Sequence, residues 1–155
     1  MAEIDLHPAF STDIDDVRGL LREYAESLGF PLDFQDFDRE LAGLPGDYTP
    51  PRGALLVAKT PSETVACVAL RPLAADTCEL KRLYVRPTAR GGGLGRLLAE
   101  AALAEARRLG YRRVRLDTIP SMEAAQALYE RLGFHEIPPY NANPLAGARW
   151  LELTL

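Results

Sequence analysis

The chain has 155 residues, 47% apolar and 26% charged, a composition that fits one ordinary globular domain over residues 1–155 and excludes disordered and fibrous classes. A formal net charge of −4 argues against a general nucleic-acid binder. The strongest apolar runs, 54–58 and 65–70, fall far short of the ~18 residues of a membrane span, two cysteines make no disulfide framework, and the acidic start has no secretory h-region, so the expectation is a cytoplasmic protein with reduced thiols, no membrane contact and no metal.

Residues 2–8 read as a first strand. Ser11-Thr12-Asp13 opens a helix, with Thr12 as its N-cap and Asp15 three positions on. Ile14, Val17, Leu21, Tyr24 and Leu28 keep helical spacing until Gly29. A loop over 30–35 precedes a second short acidic helix at 36–44, and Pro45-Gly46 and Pro50-Pro51 bracket a turn-rich segment. Strands at 53–59 and 64–71 form a hairpin through Thr60-Pro61-Ser62-Glu63, and a third strand spans 78–85. The amphipathic stretch 94–109 predicts a helix stopped by Gly110. A strand at 113–118 follows, then a helix at 121–132 capped by Ser121 and ended by Gly133. Strands at 134–137 and 149–155 flank a Pro/Asn-rich loop at 138–147. The order βααβββαβαββ predicts a mixed α/β fold, one sheet with flanking helices.

The most informative stretch lies between the strand at 78–85 and the helix at 94. It holds Gly91, Gly92, Gly93 and Gly95, which weakens local order, and the helix has no Ser, Thr, Asp or Asn at its N-cap, so its first N–H groups lack a side-chain acceptor. Bare amides at a helix N-terminus favour an anion, and a phosphate or pyrophosphate is the natural partner. The pattern is not a Walker A loop, since no Gly-Lys-Ser/Thr follows. It is not the dinucleotide fingerprint either, whose last glycine would fall on Arg96 or Leu98.

What remains is Arg-x-x-Gly-x-Gly, as Arg90-Gly91-Gly92-Gly93-Leu94-Gly95. Upstream stands Leu80-Lys81-Arg82-Leu83-Tyr84-Val85-Arg86-Pro87, and downstream Ala125-Gln126-Ala127-Leu128-Tyr129-Glu130-Arg131-Leu132-Gly133-Phe134. With these segments in this order the chain resembles the GNAT superfamily of acyl-CoA-dependent N-acetyltransferases, over about residues 3–155. It departs from the family at Met122, where an Asn is common.

The resemblance implies the GNAT fold, a mixed central sheet whose strands at 78–85 and 113–118 splay apart between flanking helices. It implies acetyl-CoA as cosubstrate. The pantetheine arm would lie along Leu83, Tyr84 and Val85, and the pyrophosphate on Arg90, Gly91, Gly92, Gly93, Leu94, Gly95 and Arg96. A backbone amide near Leu83 would polarise the thioester carbonyl. Tyr129 would be the general acid for the departing thiolate, although its place beside Ala125, Leu128 and Leu132 also suits a core tyrosine. The implied reaction moves an acetyl group directly to a primary amine in a ternary complex. The acceptor expected is a small molecule, with a protein or peptide amine, or a non-catalytic CoA-binding module, as alternatives.

Deprotonating an amine needs a base or a proton path. Glu79 is the candidate for base or ammonium binding; by strand alternation it shares a face with Lys81 and Leu83, and the alternative is a carboxylate paired with Lys81 or Arg82. Phe34 and Gln35 in one loop, and Tyr140 and Asn143 in another, combine aromatic and amide groups suited to a small polar acceptor, though plain turn chemistry explains them equally. His7 and His135 read as structural or exposed, Cys67 as core, Cys78 as no nucleophile and Asp117 as a loop cap. Residues 1–76 carry 6 Lys/Arg against 14 Asp/Glu, and residues 77–155 carry 12 against 8. That asymmetry fits either a cationic acceptor beside an anionic cofactor or simply solvated helix faces. A monomer or a homodimer is compatible with all of this.

Overall fold

The computed structural model describes residues 3–28 and 36–155. Its strands are β1 (Asp5–Pro8), β2 (Ala54–Lys59), β3 (Thr64–Pro72), β4 (Thr77–Val85), β5 (Arg113–Thr118), β6 (His135–Ile137) and β7 (Arg149–Thr154). Its helices are α1 (Ile14–Leu28), α2 (Phe37–Ala42), α3 (Leu94–Arg108) and α4 (Glu123–Arg131). The strands form one seven-stranded sheet in the order β1-β2-β3-β4-β5-β7-β6, antiparallel throughout except for the β4–β5 pair. The element order is the expected one, and the mixed α/β fold class stands.

Why β3 reads as an unbroken apolar run is clear from its position. Residues 64–70 are buried because helices cover both faces of the sheet, as in a fully enclosed central strand. Leu94, Leu98, Ala102 and Ala106 of α3 pack with Tyr129 of α4 over Val68, Leu70, Val114 and Leu116. On the other face Val17, Leu20 and Leu21 of α1 and Phe37 and Leu41 of α2 pack over Val57, Cys67 and Ala69. A fully buried Leu such as Leu98 contributes roughly 1.5–3 kcal/mol through removal from water. Cys67 and Cys78 are buried and unbridged, and burial pushes both thiols up to about 12. No helix among the described residues is long and apolar enough to cross a membrane, and they contain no metal-ligating cluster.

Two expected caps are corrected. Thr12 does not cap α1. A 3-10 turn over Ser11–Asp13 leads into the helix, and Asp13 reaches back to accept the Phe10 N–H at 2.8 Å while binding Lys59 Nζ at 2.7 Å. Ser121 does not cap α4 either. A turn in which the Met122 N–H donates to Ile119 O carries the chain past it, and the helix starts at Glu123 with no capping side chain. His7 Nδ1 donates to the Pro8 carbonyl at 2.7 Å beside the Phe10 ring, and His135 is exposed.

Burial alone would raise the Asp13 carboxyl, but Lys59 and the Phe10 amide hold it below its ordinary 3.8. Its contribution is therefore complete above about pH 4 and is lost as pH falls through the folded value. Asp13→Ala should destabilise the protein by about 1 kcal/mol at pH 7. In denaturant titrations at several pH values that difference should shrink towards zero below pH 3.8.

Candidate active site

β4 and β5 run together for three residue pairs only, Thr77 with Arg113, Cys78 with Val114 and Glu79 with Arg115. Beyond Glu79 and Arg115 they part, and the site lies in this fork. The parting coincides with a bulge in β4. Its pairing with β3 jumps from Ala69–Lys81 to Cys67–Tyr84, leaving Arg82 and Leu83 without partners in the register. Arg82 takes up the extra residue at φ 61°, a left-handed conformation that costs a non-glycine residue roughly 1–2 kcal/mol.

What holds Arg82 there is its side chain. Nε and Nη2 each donate to Glu40 of α2 at 2.8 Å, and the guanidinium sits 5.2 Å from the Phe37 ring and 5.9 Å from Tyr24. The guanidinium is buried with its carboxylate, and its proton affinity is raised further by that pair against the effect of burial. The bulge also reverses the alternation of β4. Cys78 and Leu80 face α3, and so do Leu83 and Val85, whereas Tyr84 faces α1. Glu79 and Lys81 share a face as expected, but Leu83 lies on the opposite one, because simple alternation takes no account of an inserted residue.

On the α3 side the fork opens into a cleft of about 630 Å³. Its walls come from the end of β4, the loop into α3, the start of α4 and the end of α1. Of the ten expected cofactor-binding positions it is lined by Leu83, Tyr84, Val85, Arg90, Gly91, Gly93, Leu94, Gly95 and Arg96; Gly92 is left outside. Gly93 occupies the N-cap of α3 at φ 78°, with no side chain accepting from the first turn. Arg90 anchors the loop by donating from Nε to Val85 O at 2.8 Å. Met122 and Ala125 line the cleft where α4 begins, and the Met122 sulfur accepts from Thr118 Oγ1 at 3.8 Å, so no side-chain amide projects there.

Tyr129 is 4% exposed, with its ring 5.5 Å from that of Phe134. Its hydroxyl has no hydrogen-bond partner among the described residues, and burial raises its proton affinity. Buried hydroxyls are rarely left orphaned. The free α3 amides and the apolar walls suit a ligand with a phosphate end and an apolar arm, while Tyr129 lies in the core beside Leu128 and Ala125 rather than among the residues lining the cleft.

On the α1 side of the fork lies a polar cluster. Glu79 is fully buried; Oε1 accepts from Arg71 Nε at 2.7 Å and Oε2 from the Tyr140 hydroxyl at 2.6 Å. Its partner is therefore Arg71 across the sheet, not Arg82, while Lys81 Nζ stands 3.9 Å from Oε1. Burial and then Glu79 push the Tyr140 hydroxyl far above the ordinary range of a phenol. Burial and then Arg82 lower Lys81.

Asp117 lies inside β5 rather than capping a loop, and its Oδ2 accepts from Asn143 Nδ2 at 3.1 Å and Asn141 Nδ2 at 3.5 Å. Trp150 Nε1 donates to Asn141 Oδ1 at 2.8 Å. Tyr140 and Asn143 thus join the cluster through Glu79 and Asp117, whereas Phe34 and Gln35 lie outside the described residues. Sequence reasoning missed Arg71 and the role of Lys81. For Lys81 the polar residues at every second position of β4 were the available signal; Arg71 stands near the end of the apolar strand β3, and its pairing with Glu79 depends on the β3–β4 register.

A sequence model of the acetyltransferase (GNAT) family matches residues 14–134. The chain belongs to the GNAT acetyltransferase family. An uncharacterized N-acetyltransferase of Schizosaccharomyces pombe is 39% identical over 92% of this chain and 89% of its own. An IAA acetyltransferase of Azospirillum brasilense is 39% identical over 59% of this chain and 62% of its own. Among solved structures, PaiA N-acetyltransferase of Thermoplasma acidophilum, in complex with coenzyme A, superposes with a TM-score of 0.78 at 16% identity, covering 99% of each chain.

In this GNAT chain the bulge depends on an ion pair whose arginine is shut off from water. Glu40→Ala should therefore destabilise by about 3–5 kcal/mol, because it strands a buried cation. Adding Arg82→Met to it should recover much of that loss, a comparison readable from denaturation midpoints.

Proposed function

We propose that the protein transfers an acetyl group from acetyl-CoA to the primary amine of a small molecule, by direct attack in a ternary complex in the cytoplasm. One observation carries the reading: a single fork joins a cleft with a bare helix N-terminus on one face of the sheet to a buried polar cluster on the other. The family supports acetyl transfer. The CoA complex of a protein with the same fold and the fit of the cleft support the donor. Burial of Glu79 and Lys81 favours a small acceptor over a long peptide. The unbridged thiols are consistent with a reducing compartment.

The geometry supports the following assignment of roles. Amides of Gly91, Gly93, Leu94, Gly95 and Arg96 face the pyrophosphate, Arg90 holds the loop, and the β4 edge at Leu83, Tyr84 and Val85 pairs with the pantetheine arm. Acetyl-CoA supplies an activated acyl carbon with a thiolate as leaving group. The Leu83 N–H, freed from the β3 ladder by the bulge, donates to the thioester oxygen as it gains charge. Glu79 has no direct opening to the acceptor, so it acts through Tyr140, which takes the ammonium proton as it passes its own to Oε2. The amine nitrogen then bonds to the acyl carbon, the carbon–sulfur bond breaks, Tyr129 gives its proton to the sulfur, and the second proton shed by the nitrogen restores the Tyr129 hydroxyl by way of solvent.

An acceptor panel with acetyl-CoA, followed by thiol release, tests the reading. Turnover of at least one small amine is expected; tight CoA binding with no turnover of any amine would make the protein a CoA-binding module.

The donor site is tested at Gly95. A Cβ there would come no nearer than 3.9 Å to Val85, and φ is not left-handed, so the fold accepts a side chain, in contrast to Gly93. Gly95→Val should weaken CoA binding about tenfold or more in calorimetric titration, because the added methyls enter the cleft.

Tyr129→Phe removes a hydroxyl that has no partner among the described residues, so the melting temperature should hold or rise slightly. The kcat should fall on the order of 10²–10⁴ with acetyl-CoA affinity unchanged. The loss should shrink with donors whose thiol is more acidic.

A further inference from the structure

Three cation–carboxylate pairs in and around the polar cluster are closed: Arg71 with Glu79 at 2.7 Å, Arg82 with Glu40 at 2.8 Å and Arg115 with Glu152 at 2.8 Å. Two groups of opposite sign are held more loosely: Lys81 has only a long 3.9 Å pair with Glu79, and Asp117 has no ion pair among the described residues. The Lys81 side chain is only 9% exposed and makes no hydrogen bond among the described residues. Its nearest anionic atom, Glu79 Oε1 at 3.9 Å, already accepts from Arg71. Lysine ordinarily keeps its ammonium in water, and a buried charge without an acceptor is costly. The cations beside it, Arg71 and Arg82, add to the positive potential.

Asp117 is the counterpart on the other arm of the fork. Val114 and Leu116 of β5 face α3, so Arg115 and Asp117 point to the same side of the sheet as Glu79 and Lys81. Among the described residues Asp117 makes no ion pair and accepts only from the amides of Asn141 and Asn143.

We propose that the acceptor amine also bears a carboxylate, that is, an amino-acid-like zwitterion, with the carboxylate seated on Lys81 and the ammonium facing Asp117 at the mouth of the fork. This rests on the acetyl-transfer reading and names its substrate class. A lone anion would leave Asp117 unmatched, and a plain amine would leave Lys81 with only its long pair to the already engaged Glu79; a zwitterion answers both.

The test compares free acids with charge-neutral analogues. The probes are the proteinogenic α-amino acids, β-alanine and 4-aminobutyrate, each against its methyl ester and its decarboxylated amine. Two readouts run in parallel: thiol release with acetyl-CoA, and thermal stabilisation by the same compounds in the presence of CoA. The wild-type protein should prefer one or more free acids. Lys81→Met, which keeps the stem and removes the charge, should raise the KM for those acids on the order of 10- to 100-fold. It should change the KM for the esters little and leave the melting temperature unimpaired.

Equal turnover of acids and esters in the wild type overturns the proposal and leaves acetyl transfer standing. So does an equal loss for both in Lys81→Met. Absence of all turnover, with stabilisation by free acids that Lys81→Met abolishes, overturns the acetyl-transfer reading and sustains the zwitterion site. Neither turnover nor stabilisation by any acid overturns the proposal. The acid–ester comparison in the wild type decides the matter without the variant.

Discussion

The parting of β4 from β5 after only three residue pairs governs everything else in this molecule. Two parallel strands in the middle of a sheet would ordinarily continue to exchange hydrogen bonds, because buried backbone donors and acceptors need partners. Here the bulge at Arg82 turns β4 away, and the backbone beyond it faces a cleft. That geometry is held from the other side of the sheet, where Glu40 on the short helix α2 grips Arg82 through two 2.8 Å bonds. The walls of a cleft on one face thus depend on an ion pair on the other.

Electrostatics show the same interdependence of the two halves of the chain. The acidic first half and the basic second half neutralise one another across the fold. Glu23 and Glu63 bind Arg86, Glu40 binds Arg82, and Asp76 binds Arg113. Several of these pairs are partly exposed, and each such pair adds little stability. Their effect on the site is greater: they fix Arg82 and Arg86, at the two ends of the parted stretch of β4, to the acidic half of the chain. The cleft itself keeps the bare amides at the start of α3 together with Arg90, Arg96 and Arg131 on its walls, and the polar cluster keeps Lys81 and Asp117.

Element order and the glycine loop were legible in the sequence because both are written locally, in apolar periodicity and in glycines clustered before a helix. Boundaries of α1 and α4 moved by a few residues, because short turns before each helix changed which residue stands at the cap. The bulge was not legible. Nothing in Leu80-Lys81-Arg82-Leu83 marks Arg82 for a left-handed conformation, and its stabilising partner is 42 positions away. Glu79 was recognised as a candidate, but its partners Arg71 and Tyr140 depend on strand register and on the path of the 138–147 loop. Tyr129 was singled out by resemblance, and its orphaned hydroxyl emerges only when the core around it is built.

The two cysteines have a practical side. Both are fully buried, and burial pushes their thiols well above the ordinary range, which disfavours the reactive thiolate. Reagents that colour on meeting thiolates will find none on the folded chain, and the signal in a reaction mixture will report the released coenzyme alone. When the fold opens, two equivalents of reactive sulfur per chain appear together. The same reagent, without substrates, is then a clock for global unfolding.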